Sequence, residues 1–167
     1  MDTSKLKQYL PRALKIAALV AMVCFFLPLC TVSCSGEEVE ITGTRATFGI
    51  EAMGEKVDGN IFYALILLAP AVVLLLPLKE DISSALLFGG CAVVHLITLN
   101  SLKSGVEKQA QQMYATASTT GAFAVAYLAG LCILICAALW FWVIRQEGKN
   151  TAAAESRGDG DGSNTEQ

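Results

Sequence analysis

Hydrophobic residues occur in four long blocks, and polar stretches separate these blocks from one another. A helix needs about 20 apolar residues to cross the hydrocarbon core of a bilayer. The first block contains no charged residue between Ile16 and Cys30. The pattern predicts an all-α membrane protein with four transmembrane helices. These helices are expected at residues 14–30, 61–78, 83–102 and 120–144.

The connection between the first two blocks, residues 31–60, is polar and contains two β-prone segments. Residues 39–42 and 46–50 are rich in β-branched or aromatic side chains, and Gly43 lies between them. Two such runs around a glycine-containing turn are typical of a β-hairpin. We therefore expect a small β-hairpin on the membrane surface. The acidic residues of this loop are Glu37, Glu38, Glu40, Glu51, Glu55 and Asp58.

The third and fourth blocks continue differently toward the C-terminus. Beyond residue 102, apolar residues keep a spacing of three or four through Ala117, so the third helix either extends past the membrane or lies along its surface. Residues 145–167 are polar and include alternating glycine and aspartate at residues 158–162, a composition typical of disorder. We expect a transmembrane domain over residues 1–144 and a disordered cytoplasmic tail over residues 145–167.

The basic residues of the loops set the orientation, because cytoplasmic loops are enriched in Lys and Arg. One side carries eight of them: Lys5, Lys7, Arg12, Lys15, Lys79, Arg145, Lys149 and Arg157. The other side carries four: Arg45, Lys56, Lys103 and Lys108. We expect a multi-pass protein of the plasma (inner) membrane with both termini in the cytoplasm and the acidic loop outside.

The composition agrees with a membrane location and narrows the classes of function. Charged residues make up 16% of the chain, whereas soluble domains contain about 25%. The net charge is −3, and no basic patch indicates a nucleic-acid partner. The sequence has no glycine-rich phosphate loop and one histidine. We expect a non-enzymatic protein without a cofactor, whose partners are the lipid bilayer and either another membrane protein or a second copy of the chain.

The junction after the first block carries a distinctive run of residues. Leu27-Pro28 is followed by Cys30-Thr31-Val32-Ser33-Cys34-Ser35-Gly36, and then by Ile41-Thr42-Gly43 and Ala46-Thr47-Phe48-Gly49. This run resembles small multi-helix bacterial membrane proteins of unknown function, which implies a membrane location and a bacterial source. The plan of four helices with cytoplasmic ends also resembles animal claudins, although their Gly-Leu-Trp signature is absent.

The two cysteines of the junction, Cys30 and Cys34, lie near the outer, oxidising side. In a helix, residues four apart have Cα atoms about 6 Å apart, which a disulfide can span. The sequence therefore leaves two interpretations open: Cys30 and Cys34 form a disulfide, or they are two free thiols at a helix end. A third interpretation is a lipoprotein signal cleaved before Cys34. Residues 31–33 match its recognition box poorly, so we expect the first helix to be retained.

Four further residues that can bind metals lie deep in the third and fourth blocks. Cys91 and His95 are four residues apart, as are Cys132 and Cys136, so each pair shares a helix face. Antiparallel packing would place these groups at matching depths, a set suited to zinc or copper(I). The alternative is that the thiols pack as small hydrophobes and that His95 bonds a backbone carbonyl.

Strips of small residues favour the packing alternative. One strip is Ala122, Ala126 and Gly130, and the other is Ala85 and Gly89. Such strips let helices approach closely, within one chain or between two copies. At 100° per residue, Cys132 lies about 160° from Gly130. If the strips meet, the thiols point away from one another and we expect no bound metal.

Two functional hypotheses follow from these patterns. The leading one is a partner-binding or envelope-associated membrane protein that presents an acidic outer loop. The alternative is a membrane redox or metal-handling protein that uses Cys91, His95, Cys132 and Cys136.

Overall fold

The computed structural model describes residues 3–34, 37–52, 55–77 and 81–158, and the chain is mostly helical. Its helices are α1 (Thr3–Phe26), α2 (Gly43–Phe48), a 3₁₀ helix (Ile61–Ala64), α3 (Leu65–Leu75), α4 (Ile82–Gln112) and α5 (Gly121–Gly158). Its strands are β1 (Pro28–Cys34), β2 (Glu37–Thr42), β3 (Ile50–Ala52), β4 (Glu55–Val57) and β5 (Thr116–Thr119). Within these ranges, α1, α4 and α5 are long and apolar enough to cross a membrane.

The three long apolar helices and the shorter α3 pack as a bundle in which each contacts two neighbours. Both α1 and α4 pack against α3 and α5. Leu14, Val73 and Phe88 are almost completely buried in the middle of the bundle. Residues on the outward side are apolar as well, including Leu86 and Leu128. Helices that are apolar on all sides are expected when lipid, not water, surrounds the bundle.

The first helix is displaced relative to the predicted residues 14–30. It begins at Thr3 and ends at Phe26, and residues 28–34 form strand β1 instead. The physical reason is Pro28, which lacks an amide hydrogen and disfavours helical backbone at Leu27. The predicted boundary at residue 30 was therefore wrong, because the helix ends before Pro28.

The helix predicted at residues 61–78 is shorter in the structure. The 3₁₀ helix and α3 together cover Ile61–Leu75 and rise about 25 Å. The hydrocarbon core is about 30 Å thick, so this segment falls short of the length that α1, α4 and α5 reach. Pro77 follows the end of α3 and prevents its continuation.

The other two long helices extend beyond the predicted residues 83–102 and 120–144. Helix α4 runs unbroken to Gln112 and rises about 46 Å, so one end projects beyond a bilayer core. The sequence left two alternatives for the residues beyond 102, a helix that extends past the membrane or one that lies along its surface. The structure has one continuous helix as far as Gln112. Helix α5 continues to Gly158, which makes residues 145–158 helical. Residues 159–167 of the predicted disordered tail lie outside the described residues.

A three-stranded antiparallel sheet lies at the end of the bundle where α1 ends and α5 begins. Strand β1 is central and pairs with β2 on one side and β5 on the other. The predicted hairpin of residues 39–42 and 46–50 is wrong, because residues 43–48 form α2. Thr42 caps this helix by accepting a hydrogen bond from the Arg45 amide at 3.2 Å. A separate two-stranded hairpin joins β3 and β4.

Candidate functional site

The three-stranded sheet has one largely apolar face and one polar face. Residues paired across antiparallel strands lie on the same face. The inner face includes Cys30 and Val32, which are buried against the end of the bundle where α1 ends and α5 begins. The opposite face carries only hydroxyls and carboxylates: Thr31, Ser33, Glu38, Glu40, Thr116 and Ser118. A sheet with one face on a core and one face in water has this alternation. We call the second set the polar sheet face.

The sheet is a composite, because its strands come from two separate connections that lie at the same end of the bundle. Strand β5 comes from the chain between α4 and α5, whereas β1 and β2 follow α1. The Thr31 and Ser118 hydroxyls are 2.7 Å apart across the β1–β5 pair. The Thr120 amide and hydroxyl both donate to the Leu29 carbonyl at 3.1 Å, and the hydroxyl also contacts the Pro28 carbonyl. These bonds hold the two connections together.

The sequence analysis missed β5 because it assigned Ala117 to a continuing helical spacing. The contrary signal was the run Thr116-Ala117-Ser118-Thr119, whose β-branched and hydroxyl residues favour a strand over a helix. The chain leaves α4 through Tyr114, which has φ of 53°. A left-handed backbone at this position ends the helix and turns the chain back toward β1.

Two carboxylates give the polar sheet face its negative charge. Glu38 and Glu40 are both exposed, and the Ser33 hydroxyl donates to Glu38 Oε1 at 3.4 Å. The Arg45 guanidinium forms no ion pair with either carboxylate, and its Nη1 donates to the backbone carbonyl of Glu40 at 2.9 Å. Among the described residues, the side chains of Glu38 and Glu40 form no ion pair. The charge of this face is therefore available to a partner.

Strand geometry separates the two cysteines of the junction. Cys30 and Cys34 both lie on β1, where four residues span about 13 Å. A disulfide joins Cα atoms no more than about 7 Å apart, so the extended strand does not allow this pair to form one. Cys30 is a free, buried thiol, and its burial raises its pKa to about 11, with the Glu107 carboxylate adding to the shift and Lys103 opposing it. The thiol is therefore protonated near neutral pH.

His95 lies in the interior of the bundle, where its side chain is 1% exposed. Its Nδ1 is 3.0 Å from the carbonyl oxygen of Ile66 on α3. In a regular helix this carbonyl would accept from the amide of residue 70, but Pro70 has no amide hydrogen. We therefore assign the imidazole proton to Nδ1, which donates to the carbonyl that Pro70 leaves free. This matches the predicted alternative in which His95 bonds a backbone carbonyl.

The other side of the imidazole ring packs against α5. Its Nε2 is 3.4 Å from the Ala126 carbonyl. A Cβ atom at Gly130 would lie 2.9 Å from His95 Cδ2 and 2.8 Å from Leu96 Cδ2. Only glycine leaves room for this contact, so Gly130 of the small-residue strip faces α4 within the same chain. This is the close helix approach that small residues permit.

The predicted set of His95 and three thiols does not converge in the structure. Cys132 is exposed on the outside of the bundle, while Cys91 and Cys136 are half-buried. Both ring nitrogens of His95 face backbone carbonyls. Within the described part of the chain, no three His, Cys, Asp or Glu side chains come close enough to hold a metal ion.

No protein-family model matches this sequence, and no curated protein or solved structure matches it either. What the chain does must therefore be argued from its own residues.

Proposed function

We propose that this chain is a non-enzymatic, four-helix plasma-membrane protein of bacterial type that presents its polar sheet face to a basic segment of a partner protein in the cell envelope. The observation that carries the proposal is the composite sheet. Six hydroxyl or carboxylate side chains share one face, and the opposite face is fixed to the bundle. A rigid, pre-formed surface loses little conformational freedom on binding.

In the proposed topology, α3 is the second of four membrane helices. It packs against α1 and α4, and Ile66, Ala69 and Val73 are buried within the bundle. The excess of basic residues at the opposite end supports an outward-facing sheet and cytoplasmic termini. In this topology the acidic loop and β5 lie on the same, outer side of the membrane.

Charge supports a basic partner. Residues 31–60 contain six acidic and two basic residues, and the two carboxylates on the polar sheet face form no ion pair within the described part of the chain. Complementary charge accelerates association and selects the partner, and its effect weakens as salt screens it. The metal-handling alternative has less support because Cys132 is exposed on the outside of the bundle, whereas His95 is buried in its interior.

Binding of a defined cationic peptide tests this proposal. The full chain is reconstituted in neutral phosphatidylcholine nanodiscs and titrated with fluorescent decalysine. We expect salt-dependent binding that is lost in the double variant Glu38→Gln/Glu40→Gln. The matched control is Glu107→Gln, which removes an exposed carboxylate from α4. Equal binding by the double variant and the control would overturn the proposal.

A further inference from the structure

Three large apolar side chains form an exposed patch beside the outer end of α3. Phe48 is 79% exposed, Ile61 65% and Phe62 70%. Phe48 ends α2, and the other two begin the 3₁₀ helix. The Asn60 amide donates to the Ala46 carbonyl at 2.9 Å, which holds these two elements together. We call Phe48, Ile61 and Phe62 the apolar patch.

The neighbouring residue Tyr63 shows the depth of this patch relative to α4. Its hydroxyl lies against Gly105, where an added Cβ would be 2.7 Å away. Lys103 and Glu107 flank Gly105 and form an ion pair at 3.9 Å with about half of each side chain exposed. The patch therefore lies at the level where α4 changes from apolar to charged. Below it, the chain continues directly into the apolar helix α3.

Several polar groups around the patch form hydrogen bonds within the protein. The Thr47 hydroxyl donates to the Gly43 carbonyl at 2.8 Å, and the Gly49 amide donates to the Arg45 carbonyl at 2.9 Å. The Asn60 side chain accepts from the Phe62 amide at 3.0 Å. A segment with such internal bonds can contact lipid without leaving backbone groups unpaired.

We propose that Phe48, Ile61 and Phe62 insert into the boundary between headgroups and acyl chains of the outer leaflet. Phenylalanine and large aliphatic side chains of interfacial helices are buried at this depth, and the continuity of the 3₁₀ helix with α3 places the patch there. The insertion ties α2 to the lipid surface beside the sheet. It depends on the membrane location of the bundle and not on whether the polar sheet face has a partner.

Site-specific photo-crosslinking to lipid tests the insertion. The full chain is prepared in phosphatidylcholine nanodiscs with p-benzoylphenylalanine replacing either Phe48 or Phe62, irradiated, and measured by intact-mass spectrometry. Both positions are largely exposed, so the larger ring needs no repacking. Leu128, which faces outward from α5, is the lipid-contacting control, and Glu38 on the polar sheet face is the water-facing control.

We expect phosphatidylcholine adducts at Phe48 and Phe62, at a yield close to that at Leu128 and severalfold above that at Glu38. Adducts at Leu128 without adducts at either phenylalanine position would overturn the proposal. Crosslinks from the phenylalanine positions to a second copy of the chain, in place of lipid, would also overturn it, because the patch would then be a subunit contact.

Discussion

The hydrogen bond between His95 and the Ile66 carbonyl is expected to stabilise the bundle because Pro70 leaves that carbonyl without a helical partner. The informative perturbation is His95→Leu, made in the native chain and in a Pro70→Ala background. Leucine fills a similar volume but donates no hydrogen bond. In the native chain it leaves the Ile66 carbonyl unpaired at a buried position. In the alanine background, the amide of residue 70 can donate to the same carbonyl.

The magnitude follows from what unpaired groups cost inside proteins. A buried, unsatisfied acceptor costs about 1–3 kcal/mol. Interhelical hydrogen bonds in membranes measure less, about 0.6 kcal/mol on average and up to about 1.7 kcal/mol. We therefore expect His95→Leu to lower the free energy of unfolding by about 1 kcal/mol more in the native chain than in the Pro70→Ala chain. Any packing defect that leucine causes at residue 95 is common to both backgrounds and cancels in the difference.

Equilibrium unfolding of the four variants in bicelles, followed by steric trapping, measures this difference directly. The direction of the difference is as informative as its size. His95→Leu must lower the free energy of unfolding more when Pro70 is present than when residue 70 is alanine. If His95→Leu changes the unfolding free energy equally in both backgrounds, the imidazole does not compensate for the missing amide, and our proton assignment to Nδ1 is refuted.

Three further predictions concern packing, the buried thiol and metal content. Gly130→Ala should destabilise the bundle by about 1–3 kcal/mol in the same unfolding assay, because its Cβ would overlap His95. Gly89→Ala should not, because its Cβ would lie 3.9 Å from the nearest side chain. In chains with no other cysteine, an impermeant maleimide at pH 8 should label Ser33→Cys, on the polar sheet face, far faster than native Cys30. Comparable labelling rates at pH 8 would contradict the burial. Burial also raises the Cys30 pKa from 9.0 to about 11, so the unfolded chain loses this proton at a lower pH than the folded chain. The contribution of the buried thiol to the free energy of unfolding therefore falls as pH rises above 9. Protein purified in mild detergent without chelator should carry substoichiometric zinc and copper by elemental analysis. About one metal per chain, lost in His95→Ala, would revive the metal-handling alternative.

The apolar helices were predictable because lipid-facing and core-facing residues are both hydrophobic. Long runs without charge therefore mark α1, α4 and α5 regardless of how they pack. The ends of the helices were harder to predict than their presence, because Pro28 and Pro77 restrict the backbone of the residues that precede them. The predicted ranges 14–30 and 61–78 run through these prolines, whereas the structure ends the helices before them.

The sheet and the role of His95 depend on contacts between distant segments. The pairing of Thr31 with Ser118 joins residues that lie 87 positions apart, and no local pattern specifies it. Pro70 and the single histidine were both visible in the sequence. Their connection through the Ile66 carbonyl requires the packing of α3 against α4, which only the folded bundle supplies.

An engineered disulfide across the composite sheet tests the central claim most directly. Thr31→Cys and Ser118→Cys are introduced into a chain without other cysteines, and a protease site is added between α3 and α4. Their hydroxyls are 2.7 Å apart, so cysteines at these positions are close enough to bond. The account predicts that oxidised halves stay joined after cleavage and that an impermeant reductant added outside intact cells separates them. Halves that separate without reductant, or a disulfide that resists reduction from outside, would contradict it.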